Sequence, residues 1–382
     1  MNGALDMFSV MSSTIPLTIA FSAILLLGLC WYLHYCRRRI VHYLIRLELW
    51  WNRPSIDDDN NKTLAYRSFE RFIHERHGGT QTTTDLYRFY SQSLPYMTLP
   101  PFNTTLTHLT IGRASACWVH CRGTDSKRTD KICIYFGAGA LLGLPPALED
   151  GPAAHFAQSV GARMLCVSLP HPHESMSFLE DAVGVYHWVS RYHQDSSIIV
   201  IGASSGGTLT LLLLQELVRS QFAHQPVGAV LISPWTDLLA QSPSIIRNLE
   251  SDCIFGHGGR PNTEAVHHVF DDLMPSDARF AYSPLTGNCI GLPPLYFLVG
   301  GSEVFVDDTS RFVVKARNAG VNVEAHVEPG MCHIYPFFPT LFPEAELAHI
   351  GIRRFMASVF ETDEVVGVGI SMVAVGVLDP EL

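Results

Sequence analysis

The sequence places one serine as a nucleophile and, downstream of it, a carboxylate and a histidine where they can activate it. An apolar run, Ile198 to Ile201, leads straight into Gly202-Ala203-Ser204-Ser205-Gly206-Gly207, and a helical pattern begins near Thr208. A serine on so tight a strand-to-helix turn has strained backbone angles. Small residues two places before and after it avoid clashes while its hydroxyl projects above the sheet. Its position at a helix N-terminus also aims backbone N–H groups at charge developing on an attacked carbonyl oxygen. Further on, Leu295 to Val299 ends in Gly300-Gly301-Ser302-Glu303, and Val321 to Val327 runs into Glu328-Pro329-Gly330-Met331-Cys332-His333. Serine, acid and histidine in that chain order, each after a strand, are the parts of a nucleophilic triad. His333 takes the Ser204 proton and Glu303 holds the imidazole tautomer, with Asp307 and Asp308 in the same loop as rival acids. The chemistry is attack on an acyl carbonyl, formation of an acyl-enzyme and its release by water.

The elements that must position these residues follow a doubly wound α/β rhythm. Leu106 to Ile111 and Ala114 to Cys121 read as a leading antiparallel pair turning at Gly112-Arg113. Buried-type strands then follow at Ile132 to Phe136, Met164 to Leu169, Ile198 to Ile201, Val227 to Ser233, Leu295 to Val299 and Val321 to Val327. Helical patterns at Pro152 to Val160, Met176 to Tyr192, Thr208 to Arg219 and Asp308 to Ala319 are spaced to cross over a parallel sheet. Two regions break the rhythm, the chain before Leu106 and Leu239 to Ala281, and both are expected to cap the site.

The chain has 382 residues, 47% of them hydrophobic, and a net charge of −10, which leaves no basic face for a phosphate backbone and argues against a nucleic-acid partner. Its nine cysteines form no C-x-x-C pair, so buried free thiols in a reducing environment are expected. His171 and His173 lie in a Pro-rich loop without a third ligand, and no metal or other cofactor is expected. Met7 to Cys36 contains no charged side chain, and Ile15 to Leu33 is long enough for about 28 Å of helix. Trp31, Tyr32 and Tyr35 suit a membrane interface, and Arg37, Arg38 and Arg39 follow at once. The positive-inside rule then predicts a single-pass anchor with the body on the cytosolic side, as on the endoplasmic reticulum. Two glycosylation sequons, at Asn61 and Asn103, would be usable only with the opposite orientation. Ile40 to Trp51 is expected to be amphipathic, lying on the membrane surface or packed on the body.

The stretches Gly202 to Gly207, Ile232-Ser233-Pro234-Trp235-Thr236-Asp237, Leu292-Pro293-Pro294, Gly300 to Glu303 and Gly330 to His333 together resemble the hormone-sensitive-lipase family of α/β hydrolases. The likeness is to its membrane-anchored steryl acetyl hydrolase and arylacetamide deacetylase-like members, over roughly Leu106 to Phe360. The resemblance implies an α/β-hydrolase fold with a helical cap and a serine esterase that deacetylates a hydrophobic metabolite or a sterol-like ester. An amidase or deformylase with the same triad, and a non-catalytic receptor on the same scaffold, are the alternatives. Where the family shows His-Gly-Gly-Gly this chain has Gly137-Ala138-Gly139-Ala140, and the family pattern makes Gly139, Ala140 and the N–H of Ser205 the expected oxyanion donors. The expected division is a flank at 1–14, a transmembrane anchor at 15–36, a juxtamembrane helix, linker and cap elements at 37–104, a catalytic domain at 105–360 with a cap insertion near 239–281, and a tail at 361–382.

Overall fold

The computed structural model describes residues 36–52, 62–77, 79–80, 82–102, 104–121, 130–171, 177–256, 263–274 and 276–361. Eight strands form one sheet: β1 Thr105–Ile111, β2 Ala114–His120, β3 Lys131–Phe136, β4 Arg163–Ser168, β5 Ser197–Ala203, β6 Gly228–Ile232, β7 Leu295–Gly300 and β8 Val323–Glu328. Their spatial order is β1-β2-β4-β3-β5-β6-β7-β8. β2 runs antiparallel to both β1 and β4, and the six strands from β3 to β8 are parallel. The expected antiparallel start and parallel body are both present. Every residue of β3 and of β7 is buried, as strands covered on both faces must be, whereas β1 at the edge is mostly open.

Ahead of the sheet lie a helix at 36–51 (α1), α2 Leu64–His77, α3 Thr83–Arg88, a π-helical turn Phe89–Ser93 and α4 Leu94–Met97. The crossovers are α5 Asp150–Val160, α6 Phe178–Tyr192 and α7 Ser205–Arg219. Helix α7 begins directly after Ser204, three residues earlier than the sequence pattern suggests, because the chain reverses on Ser204 itself. Between β6 and β7 come α8 Ser244–Arg247, α9 Thr263–Leu273 and α10 Arg279–Tyr282, followed by α11 Val306–Asn318 and α12 Pro343–Glu361. The long helix α12, which the strand-and-helix rhythm does not announce, buries Ile352, Phe355, Met356 and Val359 and stacks Phe355 on Tyr296 of β7.

Helix α1 has two apolar faces. Its inner face buries His42, Ile45 and Leu49, and Arg38 clamps Asp150 at the start of α5 at 2.8 Å. On its outer face Ile40, Tyr43, Leu44, Leu47, Trp50 and Trp51 recur at three- and four-residue spacing, and all are exposed. Among the described residues no helix is long and apolar enough to cross a membrane. The segment Ile15 to Leu33, both asparagines of the sequons, His173 and the tail from 362 lie outside the described residues. The described cysteines are free, and Cys117 and Cys121 are buried.

Candidate active site

Strand β5 delivers Ser204 at φ 51° and ψ −119°, a backbone state that an L-residue holds only when its surroundings enforce it. The enforcement is visible on both sides. The Ser204 N–H donates to Ile232 O at 2.8 Å, and the Gly207 N–H donates back to Ser204 O at 2.9 Å. The turn passes so close to its neighbours that a Cβ on Gly206 would strike the carbonyl oxygens of Phe136 and Gly137, and one on Gly202 would strike Thr210 and Gly206.

His333 follows β8, and its Nε2 stands 2.9 Å from Ser204 Oγ. Its Nδ1 faces Glu303 Oε1 at 3.5 Å, a long contact, and both side chains are fully buried. The other Glu303 oxygen is held firmly, accepting from Ser233 Oγ at 2.6 Å and from the Gly300 N–H at 2.9 Å. Phe255 and Phe305 lie edge-on to the imidazole with centroids 5.1 and 5.2 Å away, so the ring sits in an apolar box. Burial drives the two partners in opposite directions: it raises the Glu303 carboxyl to about 8, against the Ser233 and Gly300 hydrogen bonds, and lowers His333 to about 4. The imidazole is therefore neutral near pH 7, the form in which it can accept a proton.

Neither rival acid faces the histidine. Asp307 accepts from the Ser244 N–H at 2.8 Å and pairs with Arg247 at 2.9 Å. Asp308 accepts from the backbone N–H groups of Thr236 and Asp237 at 3.2 and 2.9 Å. Two other groups at the site have no clear mark in the sequence. Ser233, at the end of β6 with φ 48°, donates to Glu303 and accepts from the Ile334 N–H at 3.0 Å, coupling the acid to the histidine loop. It lies inside the Ile232 to Asp237 stretch, but nothing in that stretch announces its task. Asp252, from the insertion, is fully buried, accepts from the Val304 N–H at 3.0 Å and is raised to about 6, mainly by burial, with nearby His333 opposing.

The oxyanion side differs from the expectation. The Gly139 N–H does not point into open space beside Ser204; it donates to Glu149 Oε1 at 2.8 Å. Glu149 Oε2 takes the Ala138 N–H at 3.0 Å and the Tyr135 hydroxyl at 2.7 Å. Gly139 is thus withdrawn from the set of free donors, because a buried carboxylate ten residues on binds its amide first. The N–H of Ser205 opens α7, where no helical carbonyl lies four residues back to accept it. The Ser205 side chain meanwhile braces the loop, donating to Ala138 O at 2.9 Å and accepting from the Leu141 N–H at 3.2 Å. Ala140 begins the short 3-10 turn Ala140–Leu142. The cavity at Ser204 is walled by Leu86 and Tyr90 from the first irregular region and by Phe255, Phe270 and Leu273 from the second. The two regions are also joined directly, by Thr83 Oγ1 donating to Asp272 at 2.7 Å.

Sheet order, nucleophile turn and buried histidine together define an α/β hydrolase, and a family model for the alpha/beta hydrolase fold matches residues 133–337. An esterase of Acinetobacter venetianus is 36% identical over 166 residues, which is 42% of this chain and 52% of that protein. An acetyl-hydrolase of Streptomyces hygroscopicus is 26% identical over 281 residues, covering 72% of this chain and 89% of that one. Among solved structures, an esterase from the bacterial hormone-sensitive lipase family superposes with a TM-score of 0.68 at 27% identity, over 78% of this chain and 98% of its own. The chain belongs to the hormone-sensitive-lipase family of α/β hydrolases and to its class of enzyme, the serine carboxylic ester hydrolases.

Proposed function

We propose that Ser204, His333 and Glu303 are the catalytic triad of an esterase that removes short acyl groups, acetyl foremost, from hydrophobic alcohols. The observation that carries this reading is the 2.9 Å approach of His333 Nε2 to the hydroxyl of a strained, buried serine. His333 accepts the Ser204 proton as Oγ attacks the carbonyl, then returns it to the departing alcohol; water repeats the sequence on the acyl-enzyme. A scaffold that only bound a ligand would gain nothing from the backbone strain at Ser204. A short acyl group is favoured because the cavity beside Ser204 offers only about 20 Å³, room for a group of water or methyl size. A hydrophobic alcohol is favoured by the apolar walls of the Ser204 cavity, Leu86, Phe255, Phe270 and Leu273. The acetyl-hydrolase and esterase names of the relatives point the same way.

On this reading 37–104 and 239–281 form one cap over a catalytic domain at 105–360. The test is hydrolysis of p-nitrophenyl acetate, butyrate and octanoate by the full chain, with Ser204→Ala alongside. Turnover should fall with acyl length, and the variant should lose about 10³-fold or more. Near-normal rates in the variant, or a preference for octanoate, would reject the assignment.

We infer further that 15–36 anchors the chain in a membrane with its body on the cytosolic side. The apolar outer face of α1, flanked by Arg37, Arg39 and Arg46, supports this, since such a stripe suits the headgroup boundary next to a spanning segment. In sealed microsomes added protease should digest the body; a protected, glycosylated body would reverse the orientation.

A further inference from the structure

Tyr90 lines the active-site cavity with its hydroxyl unpaired among the described residues. It lies on the π-helical turn Phe89–Ser93, a rare local geometry that concentrates at functional positions. The side chain is 1% exposed, its ring packs edge-on against Phe89, and its hydroxyl has no hydrogen-bond partner among the described residues. An unpaired buried hydroxyl costs stability, and phenylalanine would fill the same space without that cost. The ring lines the same small cavity as Ser204, Ser205 and Ala138. Burial raises the phenol well above 10, Glu149 raises it further, Ser204 opposes, and Asp252 and Glu303 add to the rise; the Ser204 and Tyr90 hydroxyls are nevertheless not in hydrogen-bond geometry. The cavity that Tyr90 lines is also lined by Ala138 and Leu142 of the 137–142 loop, and that loop has its Gly139 and Ala138 amides committed to Glu149.

We propose that Tyr90 is a catalytic residue whose phenol O–H donates to the carbonyl oxygen of the bound acyl group, supplying an oxyanion donor that the Gly139 amide does not. As the bond from Ser204 Oγ to the carbonyl carbon forms, the C=O electron pair moves onto oxygen and is stabilised by Tyr90 O–H together with Ser205 N–H. Collapse restores the C=O bond and breaks the bond to the alcohol, which leaves with the proton held by His333. Tyr90 keeps its own proton throughout. This inference rests on the triad reading above.

The test is Tyr90→Phe in the full chain, measured by steady-state hydrolysis of p-nitrophenyl acetate, inhibition by an aliphatic trifluoromethyl ketone, and thermal melting. Loss of one oxyanion donor lowers kcat by about 10²-fold with KM within about twofold, and weakens the ketone, which forms the tetrahedral oxyanion, by a similar factor. The melting temperature stays level or rises, since an unpaired polar atom has gone. A kcat within about twofold of wild type overturns the proposal. So does a kcat loss that comes with a lower melting temperature and unchanged ketone affinity, because the hydroxyl would then be structural. If the wild type itself neither hydrolyses esters nor labels with a fluorophosphonate, the triad reading fails and takes this proposal with it; an active, labelled wild type beside an active Tyr90→Phe sinks this proposal alone.

Discussion

Two buried glutamates flank Ser204, and they spend their oxygens differently. Glu303 satisfies one oxygen with Ser233 Oγ and the Gly300 N–H and turns the other toward His333. Glu149 spends both on fixed donors, the Tyr135 hydroxyl and the amides of Ala138 and Gly139. Burial raises both carboxyls. The difference lies in what is left over. A carboxylate with one oxygen free toward a histidine can orient and stabilise an imidazolium, whereas one that is fully engaged can only hold a loop in shape.

The comparison breaks most visibly at Glu303. Glu303→Gln keeps the side-chain volume but removes the ionisable acid that faces His333, and should lower kcat by about 10²-fold or more while leaving the melt little changed. Asp307→Asn, at a partly exposed pair with Arg247, should stay within about threefold in rate. The reverse order in kinetic assays would move the acid to Asp307. Glu149→Gln should behave in the opposite manner. With a single acceptor oxygen for three donors it should cost about 1–3 kcal/mol in chemical denaturation, more than Glu303→Gln does. The rate should fall by about tenfold, less than one whole oxyanion donor is worth, and fluorophosphonate labelling of Ser204 should persist because the triad is untouched. Full stability with full activity would show that the loop needs no carboxylate.

The smallest effect is on pH dependence. His333 and His349 are each lowered to about 4 by burial, from about 6.5 in the unfolded chain. A depressed folded value gives stability that is present above 6.5 and lost as pH falls toward 4, because the unfolded chain binds the protons first. Glu303, raised to about 8, works in the other direction: its contribution is present at low pH and is lost as pH rises through 8. Melting temperatures across pH 4 to 9 should therefore fall at both ends. His349→Gln should flatten part of the acid side and Glu303→Gln part of the alkaline side; slopes that do not change would remove those groups as the cause.

How legible each part was follows from how local its cause is. The nucleophile turn is written within six residues, since glycines on both sides of Ser204 are demanded by sterics that operate over two peptide units. The parallel direction of the later strands follows from apolar runs separated by helix-length crossovers, and β3 to β8 run that way. Glu303 and His333 were accessible for a related reason, because each sits just past a recognisable strand and loops after parallel strands converge on one sheet edge. The loop at 137–140 was less legible. Its glycines and alanines show that amides are available, but the acceptor that takes two of them comes from the start of α5, and no spacing rule connects Glu149 to Gly139.

The sequence by itself determined the strands, the serine turn and the chain order of Ser204, Glu303 and His333, because backbone sterics and hydrophobic period act over a few residues and are encoded where they act. Only the tertiary structure decided which acid faces the histidine, that Ser233 couples it to the next loop, that Glu149 takes the Ala138 and Gly139 amides, and that Tyr90 enters the cavity from more than a hundred residues upstream. Those outcomes depend on distances between side chains brought together from separate elements. Such distances are set by how the helices and loops pack on the sheet, and packing has no short-range signature along the chain.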